Sequence, residues 1–203
     1  RRPGLPEGYS MGDMAADHAG NIREELAGPV DVLGTSTGGS IALHLAADHP
    51  ELVHRLVIHS SAHTLGEAAK EAQLRTARLA GQGKWREASS ELLGFAFSGS
   101  RYGRIIAPMA SFMMTLTAPE DPSDLIVTVE AEDKHAFRER LGEIQAPTLV
   151  IAGDRDPFYS TALFRETAEG IPDGRLILYP GMGHPASGKE FQRDVLAFLR
   201  SPP

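Results

Sequence analysis

The sequence has 203 residues, 41% of them hydrophobic, which is enough for one globular domain with a sizeable core. Its formal charge of −7 argues against binding to nucleic acid or to an anionic membrane surface, because such partners need clustered lysine and arginine. There is no cysteine, which excludes disulfides, thiolate metal sites and a cysteine nucleophile and favours a cytoplasmic protein. No apolar stretch has the length of a membrane span.

Residues 1–63 predict a helix, a strand, a second helix and a second strand. Ser10 is placed to cap a first helix that ends near Gly28. A short apolar strand is predicted over residues 30–35, a helix up to Asp48 and a strand over Leu56–Ile58. Because strand, helix and strand follow in about thirty residues, we expect two parallel strands in a sheet that is covered on both faces.

Ser36 lies at the turn between the first strand and the second helix, within Gly34-Thr35-Ser36-Thr37-Gly38. The apex of such a strand-to-helix turn is where a nucleophilic serine is expected. The turn strains the apical backbone and brings strand and helix close, so the positions two before and two after the apex must be small. Both positions are glycine, Gly34 and Gly38.

Two other glycine-rich motifs fail on this stretch. A phosphate-binding loop requires lysine where Ser40 stands, and a dinucleotide-binding loop requires glycine where Ser36 would block the pyrophosphate. On this motif alone, a second interpretation stays open, in which the glycines serve only to let the helix pack against the sheet, with no nucleophile at Ser36.

Residues 64–143 predict a helical insertion between two strands of the sheet. Leu125–Val129 is its single candidate strand. The predicted amphipathic helices are Leu65–Ala80, Trp85–Phe97 and Ile105–Leu116.

Four apolar residues of the insertion are candidates to line a substrate pocket, because methionine adapts to irregular shapes. Ordinary packing between the insertion and the body is the alternative for each of them. The four are Met109, Phe112, Met113 and Leu116.

Residues 144–203 predict a return to the sheet. Thr148–Ala152 is a third buried strand and Arg175–Tyr179 a fourth, with a helix over Leu163–Glu169 between them and a closing helix after His184. Alternating strands and helices predict an α/β fold in one domain, with core segments 1–63 and 144–203.

A hydroxyl, a carboxylate and an imidazole each follow one of these strands. Ser36, Asp156 and His184 each come just after a strand end, and the carboxyl ends of parallel strands meet at one edge of a sheet. A serine hydroxyl is a poor nucleophile at neutral pH, so a histidine must take its proton and a carboxylate must orient the histidine.

The chain from Tyr9 onward resembles the α/β-hydrolase superfamily. Three motifs occur in the superfamily's order of Ser, Asp and His. They are the strand-to-helix turn at 34–38, called the elbow below, the acid strand and its loop at 147–156, and the histidine loop at 181–184. The resemblance implies the α/β-hydrolase fold, a mostly parallel sheet with flanking helices, in which 64–143 forms a helical lid. It is strongest to small bacterial esterases and enol-lactonases.

The same resemblance assigns roles to individual residues. The family pattern places the acid at the last position of Gly-x-x-Asp, which selects Asp156 over Asp154, while Asp154 has the alternative role of capping the loop. It implies that the backbone N–H of Thr37 holds the oxyanion. Only His184 follows the acid. The other histidines are predicted to be surface or satisfied core residues: His18, His44, His49, His54, His59, His63 and His135.

The resemblance also implies strands and a His-Gly loop before the elbow strand, and residues 1–9 do not supply them. We therefore expect this sequence to be the C-terminal part of a longer hydrolase, with an open edge on the elbow strand. The missing loop would carry a second oxyanion donor, whose loss costs about 100- to 1,000-fold in rate, so the chain alone is expected to be nearly inert.

The expected activity is that of a serine hydrolase that cleaves a small-molecule ester, thioester or lactone without cofactor or metal. Carbon–carbon bond hydrolysis, perhydrolysis and acyl transfer on the same triad are alternatives, as is a catalytically inert binding protein. A serine at the apex disfavours epoxide hydrolases and dehalogenases, whose relatives carry aspartate there. The sequence leaves the acyl group open and is compatible with a homo-oligomer.

Overall fold

The computed structural model describes residue 6 and residues 8–26, 28–98 and 103–201. It contains one sheet of four parallel strands in the order β1-β2-β3-β4. The strands are β1 (Val30–Thr35), β2 (Val53–His59), β3 (Thr148–Gly153) and β4 (Gly174–Tyr179). The parallel pairing predicted for the first two strands is therefore confirmed, with Leu33 of β1 aligned to Val57 of β2.

Eight α-helices are described around this sheet, with short 3₁₀ helices at Pro50–Leu52 and Arg138–Glu143. The α-helices are α1 (Met11–Glu25), α2 (Thr37–Asp48), α3 (Glu67–Gly81), α4 (Trp85–Ala96), α5 (Gly103–Leu116), α6 (Ser123–Asp133), α7 (Thr161–Gly170) and α8 (Lys189–Leu199).

The two central strands, β2 and β3, bury both of their faces, as expected from their continuous apolar character. Leu56 and Val150 belong to a large core on one face, to which α2 and α7 contribute Leu43 and Phe164. Val57 and its neighbours belong to a second core on the other face, which α8 covers. Helices on both sides of a parallel sheet leave the ends of its strands as the accessible edge.

Local signals explain where the first two helices begin and end. The Ser10 side chain accepts a hydrogen bond from the backbone N–H of Asp13, and the Asp13 carboxylate accepts one in return from the N–H of Ser10. This reciprocal cap satisfies two free donors at the start of α1. Helix α2 ends at Asp48, two residues before Pro50, because proline cannot continue a helix.

The segment between β2 and β3 is helical throughout its long elements. Helix α3 packs against α4 and α6, and α4 packs against α5. The candidate strand at residues 125–129 is wrong, because these residues lie inside α6. Its β-branched residues adopt helical geometry as Val127 and Val129 become buried, so packing outweighs local strand propensity.

Strand β1 lies at one edge of the described sheet and pairs there only with β2. Leu33 in this strand is 46% exposed. A cavity of about 360 Å³ runs along this edge and is lined by residues of α1, β1 and α2, including Ile22, Val32 and Ile41. Within the described ranges, no helix has both the length and the hydropathy needed to cross a membrane.

Candidate active site

Ser36 occupies a strained turn at the carboxyl end of β1. Its φ of 53° and ψ of −126° are rare for a residue with a side chain. The backbone N–H of Ser36 donates a hydrogen bond of 3.0 Å to the carbonyl of His59 at the end of β2. The turn thus continues the sheet pairing by one residue and projects Ser36 beyond the strand ends.

The tight approach of strand and helix involves Gly34, as the motif predicts, but Gly39 in place of Gly38. A Cβ on Gly34 would lie 2.3 Å from the carbonyl oxygen of Gly38, so Gly34 must be glycine. A Cβ on Gly38 would meet nothing within 4 Å, and the prediction that this position must be small is wrong for the described residues. Gly39 is the second close approach, since its Cβ would lie 2.4 Å from Cβ of Ser61.

The structure brings Ser36, His184 and Asp156 into one chain of hydrogen bonds. Nδ1 of His184 lies 2.7 Å from Oδ2 of Asp156, and Nε2 of His184 lies 3.0 Å from Oγ of Ser36. A carboxylate only accepts, so Nδ1 carries the proton and Nε2 is left to accept the serine hydroxyl. The Asp156 side chain is fully buried and that of His184 is 10% exposed.

Asp156 and Asp154 have different partners although both lie in the loop after β3. Oδ1 of Asp156 accepts hydrogen bonds from the backbone N–H groups of Phe158 and Tyr159, at 2.9 and 3.2 Å. These bonds leave Oδ2 free for His184. Asp154 instead accepts the N–H of Gly181 at 2.6 Å and ties the β3 loop to the histidine loop. The structure therefore places Asp156, and not Asp154, beside the imidazole.

His59 supports the histidine loop from the end of β2, a role that the sequence does not reveal. Its Nε2–H donates to the carbonyl of Ala186 at 2.7 Å, and its Nδ1 accepts the hydroxyl of Thr35 at 3.0 Å. Burial lowers the pKa of His59, which keeps the ring neutral and both bonds in place. His59 thus connects the residue before Ser36 to the loop that carries His184.

Two aromatic rings flank the imidazole of His184. The ring centroid of Phe158 lies 4.6 Å from that of His184, and the centroid of Tyr159 lies 6.1 Å away. They lie two and three residues after Asp156, so the loop that positions the carboxylate also packs its aromatic residues around the imidazole. Such packing restricts the ring and shields it from water.

A largely apolar cavity of about 410 Å³ opens in front of Ser36 and His184. Its walls come from α3, α4 and α6 together with the loops after β3 and β4. The apolar lining residues are Leu92, Leu93, Ala96, Phe97, Leu125, Val129 and Phe158.

The four residues of α5 predicted to line a pocket do not line this one, so that prediction is wrong. They point to the surface because α4 lies between α5 and the sheet edge that carries Ser36. Their exposed fractions are 69% for Met109, 56% for Phe112, 60% for Met113 and 64% for Leu116.

Thr37 begins α2, so its backbone N–H is one of the first four in the helix and has no intrahelical acceptor. Its hydroxyl donates a hydrogen bond of 2.6 Å to the buried carboxylate of Glu132 on α6. In the sequence, Glu132 is one of three acidic residues in Glu130–Asp133, and no signal separates it from the other two.

The remaining histidines lie away from the serine. His44, His63 and His135 are largely buried among core residues, and the ring of His135 packs against Phe137. The surface positions are His18, His49 and His54. In the described part of the chain, no three histidine, aspartate or glutamate side chains come together in a group that could hold a metal ion.

Comparison with known proteins identifies the family. The sequence profile of the alpha/beta hydrolase family matches residues 1–196. The chain belongs to the alpha/beta hydrolase family. The order of elements and the position of Ser36 after β1 are those that the resemblance implied, so the fold prediction is confirmed.

Curated relatives in this family are hydrolases. RutD of Serratia proteamaculans, a proposed carbamate hydrolase, is 28% identical over 200 residues, which cover 96% of this chain and 74% of RutD. The 2-hydroxy-6-oxononadienedioate/2-hydroxy-6-oxononatrienedioate hydrolase of a Pseudomonas species is 27% identical over 83% of this chain and 62% of its own length. The chain thus spans between about three fifths and three quarters of these two relatives.

Solved structures agree on the fold. The enol-lactonase of Burkholderia xenovorans LB400 superposes with a TM-score of 0.79 at 23% identity. The match covers 97% of this chain and 76% of the enol-lactonase. At this identity the likeness establishes the alpha/beta hydrolase fold, with its parallel sheet and flanking helices.

Proposed function

We propose that this chain carries the catalytic triad of a serine hydrolase that cleaves a carboxylic ester or lactone through an acyl-enzyme. The observation that carries the proposal is the continuous hydrogen-bond chain from Ser36 Oγ through His184 to Asp156. A serine, a correctly oriented imidazole and a buried carboxylate are the groups that acyl transfer requires.

The proposed first half-reaction begins with Nε2 of His184 taking the proton of Ser36 Oγ. The oxygen attacks the substrate carbonyl carbon, and the carbonyl electrons move to its oxygen, which becomes an oxyanion. When the tetrahedral species collapses, the bond to the leaving oxygen breaks and His184 returns the proton to it. An ester releases its alcohol at this step, whereas a lactone opens and keeps the new hydroxyl on its acyl group. In both cases the acyl group stays bonded to Ser36.

The second half-reaction repeats these steps with water. His184 takes a proton from the water, the resulting hydroxide attacks the acyl carbon, and Ser36 recovers its proton from His184 as the acid departs. Asp156 stabilises the imidazolium that forms in each half, because its fully buried carboxylate lies against Nδ1. The N–H of Thr37, at the positive end of α2, is the proposed oxyanion donor. The scheme uses no cofactor or metal.

Two of the three compared proteins support an ester-like substrate. RutD is a proposed carbamate hydrolase and the structural neighbour is an enol-lactonase, so each name indicates an acyl carbon bonded to a heteroatom. The mostly apolar cavity beside Ser36 suits a small apolar acyl group. Other chemistry on the same triad, such as carbon–carbon bond hydrolysis, is the alternative to be tested beside it.

Turnover of p-nitrophenyl acetate, a lactone such as dihydrocoumarin and an aryl carbamate by the complete gene product tests the proposal. We expect hydrolysis of an ester or lactone that is lost in Ser36→Ala, with the circular dichroism spectrum unchanged. Ser36-dependent cleavage of a carbon–carbon substrate alone would favour the alternative chemistry. An enzyme inert on every substrate would favour a binding protein.

A further inference from the structure

Glu132 is a buried carboxylate in the wall of the cavity that opens on Ser36. It lies near the end of α6 and is 1% exposed. Three hydroxyl groups approach it: Thr37 at 2.6 Å, Tyr159 at 3.2 Å and, more distantly, Ser40 at 3.5 Å. Burial, followed by the charge of Glu132, raises the pKa of Tyr159 well above its usual value, so that hydroxyl stays a donor.

The charge of Glu132 is held by hydroxyls and a helix end instead of by a cation. The described lining of the cavity contains no lysine or arginine, and no described cation forms an ion pair with Glu132. Thr37 and Ser40 lie in the first turn of α2, which has no acidic residue of its own. The positive end of this helix favours a negative charge beside it. Buried carboxylates need hydrogen-bond partners, and these hydroxyls supply them.

The rest of the cavity strengthens the field of this single charge. Most of its exposed wall is apolar and includes Leu92, Leu125 and Phe158, while the uncharged polar side chains on the wall include those of Gln73, Thr76 and Thr128. Charges in apolar surroundings interact over longer distances than charges in water, since there is little solvent to screen them. A carboxylate on a bound acyl group would lose part of its hydration, find no lysine or arginine on the described walls and face Glu132.

We infer that Glu132 determines specificity at this site by admitting uncharged acyl groups and rejecting acyl groups that carry a carboxylate. The inference rests on the proposed function, because it describes which substrates reach Ser36. It assigns the physiological substrate to the class of neutral esters or lactones. It also gives α6 a role beyond packing, since this helix supplies the selecting charge.

Two isosteric aryl esters test the selection directly. The p-nitrophenyl monoester of adipic acid ends in a carboxylate, and the p-nitrophenyl ester of 6-methylheptanoic acid ends in an isopropyl group of the same shape. In the complete gene product we expect kcat/KM for the neutral ester to exceed that for the anionic ester by on the order of 100-fold or more. Ser36→Ala should lose both activities.

The matched variants separate the charge from the shape of the side chain. Glu132→Gln should raise the relative kcat/KM of the adipoyl ester by roughly 10- to 30-fold, because the repulsion between the two carboxylates disappears. Glu132→Asp keeps the charge and should keep the discrimination. Glu130→Gln removes the same charge from the same helix but lines a different cavity, so it should leave the ratio unchanged. Thr128→Lys adds a cation to the cavity wall and should also reduce the ratio of kcat/KM for the neutral ester to kcat/KM for the adipoyl ester.

The outcomes distinguish this inference from the proposed function. If Ser36-dependent hydrolysis occurs but Glu132→Gln and Thr128→Lys leave the ratio as in the wild type, the selection is overturned and the hydrolase remains. Equal hydrolysis of both esters by the wild type overturns it without any variant, which covers the case in which Glu132→Gln fails to fold. Failure to cleave either ester while p-nitrophenyl acetate or dihydrocoumarin is still hydrolysed would overturn the selection alone. A gene product that cleaves none of these substrates would overturn both proposals.

Discussion

The imidazole of His184 binds Asp156 through a 2.7 Å contact between Nδ1 and Oδ2 and leaves Asp154, two residues earlier in the same loop, to the backbone of Gly181. The two carboxylates of this loop thus bind different partners. Asp156 is buried and directed into the candidate active site, whereas Asp154 connects the loops after β3 and β4.

This division predicts unequal effects of two conservative variants. Asp156→Asn should lower kcat by roughly 10⁴-fold, the loss expected when an amide stabilises the wrong histidine tautomer. Asp154→Asn keeps an oxygen that can accept the Gly181 N–H and should retain most of the activity. Steady-state hydrolysis of an aryl ester measures both. Comparable losses in the two variants would contradict the assignment of Asp156.

The geometry of the elbow predicts that alanine destabilises the fold at one of its glycines and is tolerated at another. Gly34→Ala places Cβ 2.3 Å from a backbone oxygen that cannot move away, so the free energy of unfolding should fall by about 2–3 kcal/mol or more. Gly38→Ala meets open space within a helix and should be neutral or slightly stabilising. Urea denaturation compares the two variants. Equal destabilisation would show that the approach of β1 and α2 is not as tight as described.

Buried histidines predict loss of stability in acid. Burial, with the neighbouring His44 as the next cause, lowers the pKa of His135 from 6.5 to about 3. Between pH 6.5 and about 3, the unfolded chain therefore binds a proton at His135 that the folded chain does not bind. The free energy of unfolding is thus highest above pH 6.5 and falls as the pH decreases toward 3. Burial lowers the pKa of His44, His59 and His63 in the same direction.

Removing this titration should make the fold more resistant to acid. His135→Leu should shift the midpoint of acid unfolding downward, with the stability at pH 4 improving by about 1–3 kcal/mol relative to pH 7. His18→Leu changes an exposed histidine on α1 and serves as the control. Circular dichroism as a function of pH provides the measurement. An identical midpoint in wild type and His135→Leu would refute the buried-histidine explanation.

The sequence predicted the strands, most helices and the three residues that meet at the sheet edge, for identifiable reasons. Apolar runs bounded by glycine and proline mark the strands, and the edge follows from the parallel order. Contacts between distant segments that belong to no such motif were not predictable. Glu132 reaches Thr37 across 95 positions, and His59 reaches Ala186 across 127, without a local motif.

The outcome for α5 illustrates the same limit. Amphipathic spacing identified the helix but not which neighbour its apolar face would meet. Met109 and Phe112 remain exposed because α4 occupies the position beside the cavity, with Leu92 and Leu93 in the wall instead. Periodicity specifies that a face is apolar, whereas the order in which helices pack decides what it contacts.

Covalent labelling with a fluorophosphonate tests most directly whether Ser36 is a nucleophile activated by His184. In the complete gene product, peptide mass spectrometry should find the adduct on Ser36 and nowhere in Ser36→Ala. Labelling should be abolished in a folded His184→Ala, because no other described imidazole contacts Ser36 Oγ. Undiminished labelling of His184→Ala, or an adduct on another serine of the wild type, would contradict the account.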